Sequence, residues 1–176
     1  MSRPTGSLTL VHAADRPDLM APPVAEAVAG IADAWVTEVD PALADTAAMS
    51  EAYGVGLDVS ANCVVVAGTR GGVTRHAACV VLATTRADVN GFVRKRLDVR
   101  KASFARMDDA VAMTAMEYGG ITPLGLPEDW LVLVDAAVVA SPQVIVGSGV
   151  RRSKVVLPGA ALAALPRAEV IERLGS

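Results

Sequence analysis

The stretch Tyr118-Gly119-Gly120-Ile121-Thr122-Pro123-Leu124-Gly125-Leu126-Pro127 decides how this chain is read. Glycine tolerates positive φ and lets a ligand approach bare backbone, whereas proline fixes its own φ and stiffens the turn around it. Gly119, Gly120, Pro123 and Gly125 therefore predict a rigid loop whose amides face a small polar ligand. Alone, such a composition is that of an ordinary turn. Its neighbours set it apart: a helical segment from Asp108 to Glu117 leads into it, and two apolar runs follow, Trp130 to Asp135 and Val144 to Arg151.

Working outward, Pro22 and Pro23 suit the first turn of a helix with Val24, Val28 and Ile31 on one face. Trp35 to Val39 alternates like a short strand, and Asp40-Pro41 reads as the cap and first residue of a helix that Gly54 closes. Asn62 to Ala67 and Arg75 to Thr84 read as strands joined by a hairpin at Gly71-Gly72. Asp88 opens a short helix through Leu97, Lys101 to Ala105 is a brief strand, and Asp108 caps the helix before the glycine loop. Strands are expected near 131–135, 143–148 and 152–157, with 162–165 and 169–174 closing the chain helically. Strands outnumber the parallel crossovers available to join them, so the expected class is α/β (α+β) with a mixed, largely antiparallel sheet. Residues 1–20 read as an N-terminal extension and 21–176 as a single domain.

At 176 residues one domain can bury roughly 70% of its unfolded surface. Hydrophobic residues make up 52% but aromatics only 3%, so few rings are available for stacking nucleobases. Recognition of RNA would lean on phosphate contacts and one buried terminal residue. No stretch reaches the roughly 18 apolar residues of a membrane span, and the start lacks a signal-peptide pattern, so a cytoplasmic location is expected. Cys63 and Cys79 lie in apolar, strand-like runs and read as buried, reduced thiols rather than zinc ligands.

The net charge of −3 hides an asymmetry. Residues 1–59 carry nine acids against Arg3 and Arg16, while Arg86, Arg94, Lys95, Arg96, Arg100, Lys101 and Arg106 cluster over 86–106. Arg151, Arg152 and Lys154 form a second basic knot. Such clusters are either solvated faces or a surface for a polyanion. Other catalytic patterns are weak. His12 and His76 have no nucleophile partner at a recognisable spacing, and Gly68 to Gly72 lacks the Lys-Ser/Thr ending of a phosphate-binding loop. Asp108 and Asp109 read as helix capping.

From about Pro22 onward the order of elements resembles the YbaK/prolyl-tRNA-synthetase-associated domain family, whose members remove wrongly attached amino acids from tRNA. Gly119 to Pro123 matches the family's GxxxP substrate loop, and Asp135 and the Gly149/Arg151 pair match weaker positions on the last strands. The family also carries a lysine on an early strand; here the corresponding run is Ser60-Ala61-Asn62-Cys63-Val64-Val65-Val66, with Asn62 in the lysine's place. Asparagine offers a neutral amide where lysine offers a charge and three donors.

The resemblance implies a curved, barrel-like sheet flanked by helices, and hydrolysis of the ester of mischarged tRNA by a trans-acting protein. The alternative is a protein of the same fold that binds aminoacyl-tRNA without turnover. It implies the 3′ end of an aminoacylated tRNA as partner, with an aminoacyl-tRNA synthetase as a further one, and neither DNA, membrane, cofactor nor metal. The implied catalytic residues are Asn62 and, as a displaced lysine, Lys101. The implied substrate contacts are Gly119, Gly120, Ile121, Thr122, Pro123, Asp135 and Gly149, with backbone amides of 119–121 donating to an oxyanion. Arg94, Lys95, Arg96, Arg100, Arg151, Arg152 and Lys154 would meet the tRNA.

Overall fold

Runs of β-branched residues pack well on a pleated surface, and the two richest in valine form the longest strands. The computed structural model describes residues 5–176. In it β3 (Ala61–Arg70) and β4 (Val73–Leu82) pair antiparallel along their whole length. Gly71 and Gly72 join them with φ of 59° and 77°, the two positive angles that a tight hairpin turn needs. A short strand, β5 (Ala102–Phe104), covers part of β3, while β6 (Leu131–Asp135) and β9 (Ala168–Ile171) extend the sheet parallel to β4. All five residues of β6 are buried, as its uninterrupted apolar sequence requires of a central parallel strand.

A second sheet has the order β1-β2-β8-β7, all antiparallel, from β1 (Val11–His12), β2 (Trp35–Glu38), β7 (Val144–Gly147) and β8 (Ser153–Leu157). The helices are α1 (Pro22–Val28), α2 (Thr46–Tyr53), α3 (Arg94–Leu97), α4 (Met107–Thr114), α5 (Ala136–Val139) and α6 (Gly159–Ala163). The main core joins α1, α5 and α6 to the inner faces of both sheets through Val24, Val80, Val134, Val155 and Leu162. The expected mixed, largely antiparallel architecture is present. It is divided over two curved sheets that touch where Ser60 bridges Ile145, and they do not close into a barrel.

Several local expectations are corrected. Residues 169–174, expected as helix, begin with β9, because a short apolar run has no period of its own and the exposed edge of β6 captures it. Asp40 caps only one 3-10 turn, accepting from the Ala42 amide at 2.9 Å, and the helix that Gly54 closes starts at Thr46. Arg106, not Asp108, holds the cap position of α4; Asp108 and Asp109 sit in its first turn, where the helix dipole favours carboxylates. Residues 5–20, the described part of the segment set apart as an extension, pair through β1 and bury Leu19 and Met20. The rest of that segment, including Arg3, lies outside the described residues. His12 is fixed in β1: its Nδ1 accepts from the Ala14 amide, leaving Nε2 to donate to the Ala32 carbonyl at 2.8 Å.

Candidate active site

β5 is only three residues long, so it leaves half of β3 uncovered. The pairing with β5 stops at Val66, and the Val65 carbonyl accepts from the Ala105 amide at 2.9 Å. Backbone groups along a strand in an antiparallel sheet alternate between its two edges. The Cys63 amide and carbonyl therefore face the same edge as Val65, beyond the reach of β5. The other sheet reaches the β3–β4 hairpin where Ile145 of β7 bridges Ser60, the residue before β3. Between these two contacts opens a cavity of about 440 Å³.

Four elements wall it. Ser60 to Val65 form the floor, the start of α2 supplies Asp45, Thr46 and Met49, and the glycine loop supplies Tyr118, Gly119 and Ile121. Ile145, Val146 and Gly147 of β7 and Lys154 of β8 close the fourth side. Phe104, Met107 and Tyr118 form an apolar rim, with Phe104 67% and Tyr118 58% exposed.

Asn62 faces this cavity. Thr46 Oγ1 donates to its Oδ1 at 2.8 Å, which fixes the amide and leaves both Nδ2 hydrogens without a protein acceptor among the described residues. Cys63 also lines the cavity, but burial pushes its thiol pKa up, so it stays protonated and is no nucleophile. Cys79 is likewise pushed up by burial, to about 12, and both cysteines are free. Val64, not Cys63, pairs with Cys79, so the two thiols stand on opposite faces of the sheet.

The glycine loop is held by backbone interlock. The Glu117 amide donates to the Gly149 carbonyl at 2.8 Å and the Gly149 amide donates to the Gly120 carbonyl at 2.8 Å. Gly120 also donates its own amide to Glu117, at 3.0 Å. Of the three amides expected to face a ligand, this one is therefore engaged, while those of Gly119 and Ile121 have no partner among the described residues. A Cβ on Gly120 would come within 2.8 Å of the Val150 amide nitrogen, and one on Gly147 within 2.7 Å of the Gly120 carbonyl oxygen. Gly119 has φ of 79°, and a Cβ there would overlap the Arg151 guanidinium. These glycines are bare because the chain packs on itself, a different reason from ligand approach.

Lys154 is not a surface charge. β8 is buried on both faces: Ser153, Val155 and Leu157 turn to the main core, so Lys154 and Val156 turn the other way, beside Met49 and Ile145. Lys154 is only 7% exposed, lines the cavity, and pairs in register with Gly147 of β7. Burial lowers its pKa from the ordinary lysine value, partly offset by the nearby Asp45 carboxylate and reinforced by Arg151. No ion pair or hydrogen bond to its ammonium exists among the described residues. The only sequence signal for this position is the alternation of β8.

The other implied residues lie elsewhere. Lys101 is exposed and does not line the cavity. Thr122 is fully buried with an unpartnered hydroxyl, and neither it nor Pro123 reaches the cavity wall. Asp135 is a structural carboxylate: it caps α5 through the Ala137 amide at 2.7 Å and accepts from Gly175 at 2.6 Å. Gly149 is set against Ala21 and Val24, behind the loop. Arg151 donates to the Pro41 carbonyl at 3.0 Å and the Tyr118 carbonyl at 3.4 Å, tying the loop to the segment before α2. Arg152 donates to the Asp18 carbonyl at 2.6 Å. Lys95 and Arg100 are exposed, Arg94 folds back on the Asn90 carbonyl, and Arg96 pairs with Glu169 at 2.8 Å. His76 stacks on Trp130 at 4.9 Å, away from the cavity. Among the described residues no cluster of His, Cys, Asp and Glu could hold a metal ion, and no helix is long and apolar enough to cross a membrane.

Comparison with known proteins bears on the whole arrangement. The chain is similar to a candidate trans-editing enzyme for prolyl-tRNA synthetase, at 20% identity over 86% of this chain and 94% of that one, with a TM-score of 0.73. It is similar to a protein from a study of computational epitope grafting onto scaffolds, at 21% identity over 86% and 95% of the two chains (TM-score 0.72). A hypothetical protein shares 19% identity over 73% and 83% (TM-score 0.64). At these identities the likeness is one of fold. No curated protein matches the chain. The model of the aminoacyl-tRNA editing domain matches residues 40–165, a span that contains every wall of the cavity, and the chain belongs to that family.

Proposed function

We propose that this protein hydrolyses the ester of mischarged tRNA in trans, and that the cavity at the open edge of β3 receives the aminoacylated 3′ end. The observation that carries this reading is the convergence of Asn62, the unpartnered amides of Gly119 and Ile121, and Lys154 on one recess with an apolar rim. Water attacks the ester carbonyl carbon, the carbonyl oxygen takes up negative charge, and the tetrahedral intermediate expels the ribose oxygen, which leaves with a proton. The products are a free amino acid and a tRNA with its terminal hydroxyl restored. Preorganised amides in a water-poor recess favour the charged intermediate, each contributing about 3 kcal/mol. Asn62, fixed by Thr46, donates from Nδ2 to the substrate. Phe104 and Tyr118 offer the terminal adenine a face on which to stack. Lys95 and Arg100 supply exposed charge for the acceptor stem, and a cytoplasmic partner synthetase belongs to the same reading.

A deacylation screen over a panel of mischarged tRNAs tests it. Accelerated release of at least one amino acid is expected. Mischarged tRNA that is bound yet protected from spontaneous hydrolysis would mark a binding protein instead.

A further inference from the structure

We infer that Lys154 is the cationic contact of this cavity: its ammonium binds an oxygen carrying negative charge at the aminoacyl end of the substrate, in place of the lysine that β3 lacks. The inference deepens the proposed editing function and rests on it for the identity of the substrate.

Three observations converge. Lys154 is buried, is turned away from the main core by the alternation of β8, and lines the recess. Its ammonium has no acidic partner within ion-pair distance among the described residues. A buried ammonium without a partner is costly, and buried charges in proteins are as a rule paired. The surroundings do not supply the missing charge. Asp45 stands at the start of α2, with its side chain 77% exposed, and its carboxylate is 4.0 Å from the Arg151 guanidinium. Asp45 thus stands near two cations, and the other carboxylate beside Arg151, that of Glu117, accepts from the Arg151 backbone amide and not from Lys154. The lining residues of β3 nearest in sequence are Asn62, whose amide is neutral, and Cys63, whose thiol is protonated, and the glycine loop adds Tyr118. An anionic oxygen is the partner that this composition lacks.

The oxygen has two sources in an aminoacylated 3′ end: the ester carbonyl as it becomes an oxyanion, and the terminal phosphate. Kinetics separate them. Lys154→Met removes the charge while keeping an unbranched side chain of similar length, and Lys154→Arg keeps the charge. If the oxyanion is the partner, Lys154→Met lowers kcat by roughly tenfold or more with KM little changed; if the phosphate, KM rises and kcat holds. In either case Lys154→Arg retains part of the lost function. A second arm needs no turnover. Inorganic phosphate should raise the melting temperature of the wild-type protein and not that of Lys154→Met, which should itself melt higher than wild type in buffer without phosphate.

Wild-type deacylation kinetics in a folded Lys154→Met variant, with equal stabilisation of both proteins by phosphate, would overturn the inference. A wild-type protein that discharges no mischarged tRNA but shows the lysine-dependent phosphate effect would remove the editing reading and keep the anion site.

Discussion

The two basic segments of this protein look alike in sequence and are opposites in structure. Arg94, Lys95 and Arg96 end a short helix, and Lys95 and Arg96 are exposed; the one ion pair there, Arg96 with Glu169, is half-exposed and contributes little. Arg151, Arg152 and Lys154 are woven into the molecule: one guanidinium ties the glycine loop, another ties the residues before α1, and the lysine faces the cavity. Charge density in a sequence thus carries no information about role. What separates the segments is the element that bears them, a solvated helix end against a strand buried on both faces.

The contrast can be broken most forcefully at Gly120, where the second segment meets the loop. Gly120→Val places a branched side chain within 2.8 Å of the Val150 backbone, which cannot yield as a side-chain tip can. A loss of stability on the order of 3 kcal/mol is expected, read as a fall in denaturation midpoint. A variant as stable as wild type would show that the interlock is slack.

Arg151→Ala comes next. It leaves the Pro41 and Tyr118 carbonyls without their charged donor and should destabilise by about 2 kcal/mol. Deacylation should fall further than stability alone explains, because the loop then loses its tie to the wall bearing Asp45. Activity intact in a folded variant would detach the arginine from the site.

A smaller effect concerns pH. Because burial lowers the Lys154 pKa in the folded state, the native protein binds fewer protons than the unfolded chain at pH values between the folded and unfolded pKa. Stability should therefore rise with pH across that window, up to the ordinary lysine range, and the advantage of Lys154→Met over wild type should shrink in step. Parallel melting curves of the two proteins across the alkaline range would contradict this.

Neutralising Arg94, Lys95 and Arg96 together should change stability least, by under about 1 kcal/mol. If those side chains meet the acceptor stem, tRNA affinity should lose about one unit of salt slope per phosphate contact removed. An unchanged slope would leave this segment a solvated face.

The hairpin of β3 and β4, the buried β6 and the helix-to-loop order around Gly119 were legible, because period, glycine pairs and apolar runs are local signals. Asn62 was singled out only by the resemblance, as the residue in the family lysine's place; nothing local in its strand marks it. Lys154 was not legible as an interior group, since Arg-Arg-Ser-Lys reads as a charge run until the pairing of β8 with both β2 and β7 buries it. Asp135 was named through the resemblance alone, and its two carboxylate oxygens are taken by the amides of Ala137 and Gly175. Lys101 lay near the site in element order but is exposed and does not line the cavity. The strand at 168–171 was hidden because only the vacant edge of a distant strand selects it.

The short β5 has one more consequence. A strand edge with unpaired amide and carbonyl groups is a template on which a second protein chain can grow, and exposed edges of that kind invite aggregation. Here the vacancy beside Cys63 lies recessed between β5 and the second sheet, with a charged lysine at its wall. A β-strand of another molecule would have to reach past the apolar rim and pack against the lysine to pair there. A single esterified residue on the end of a flexible strand of RNA, the guest proposed above, brings no strand edge of its own, so a recess that discourages self-association would still admit it.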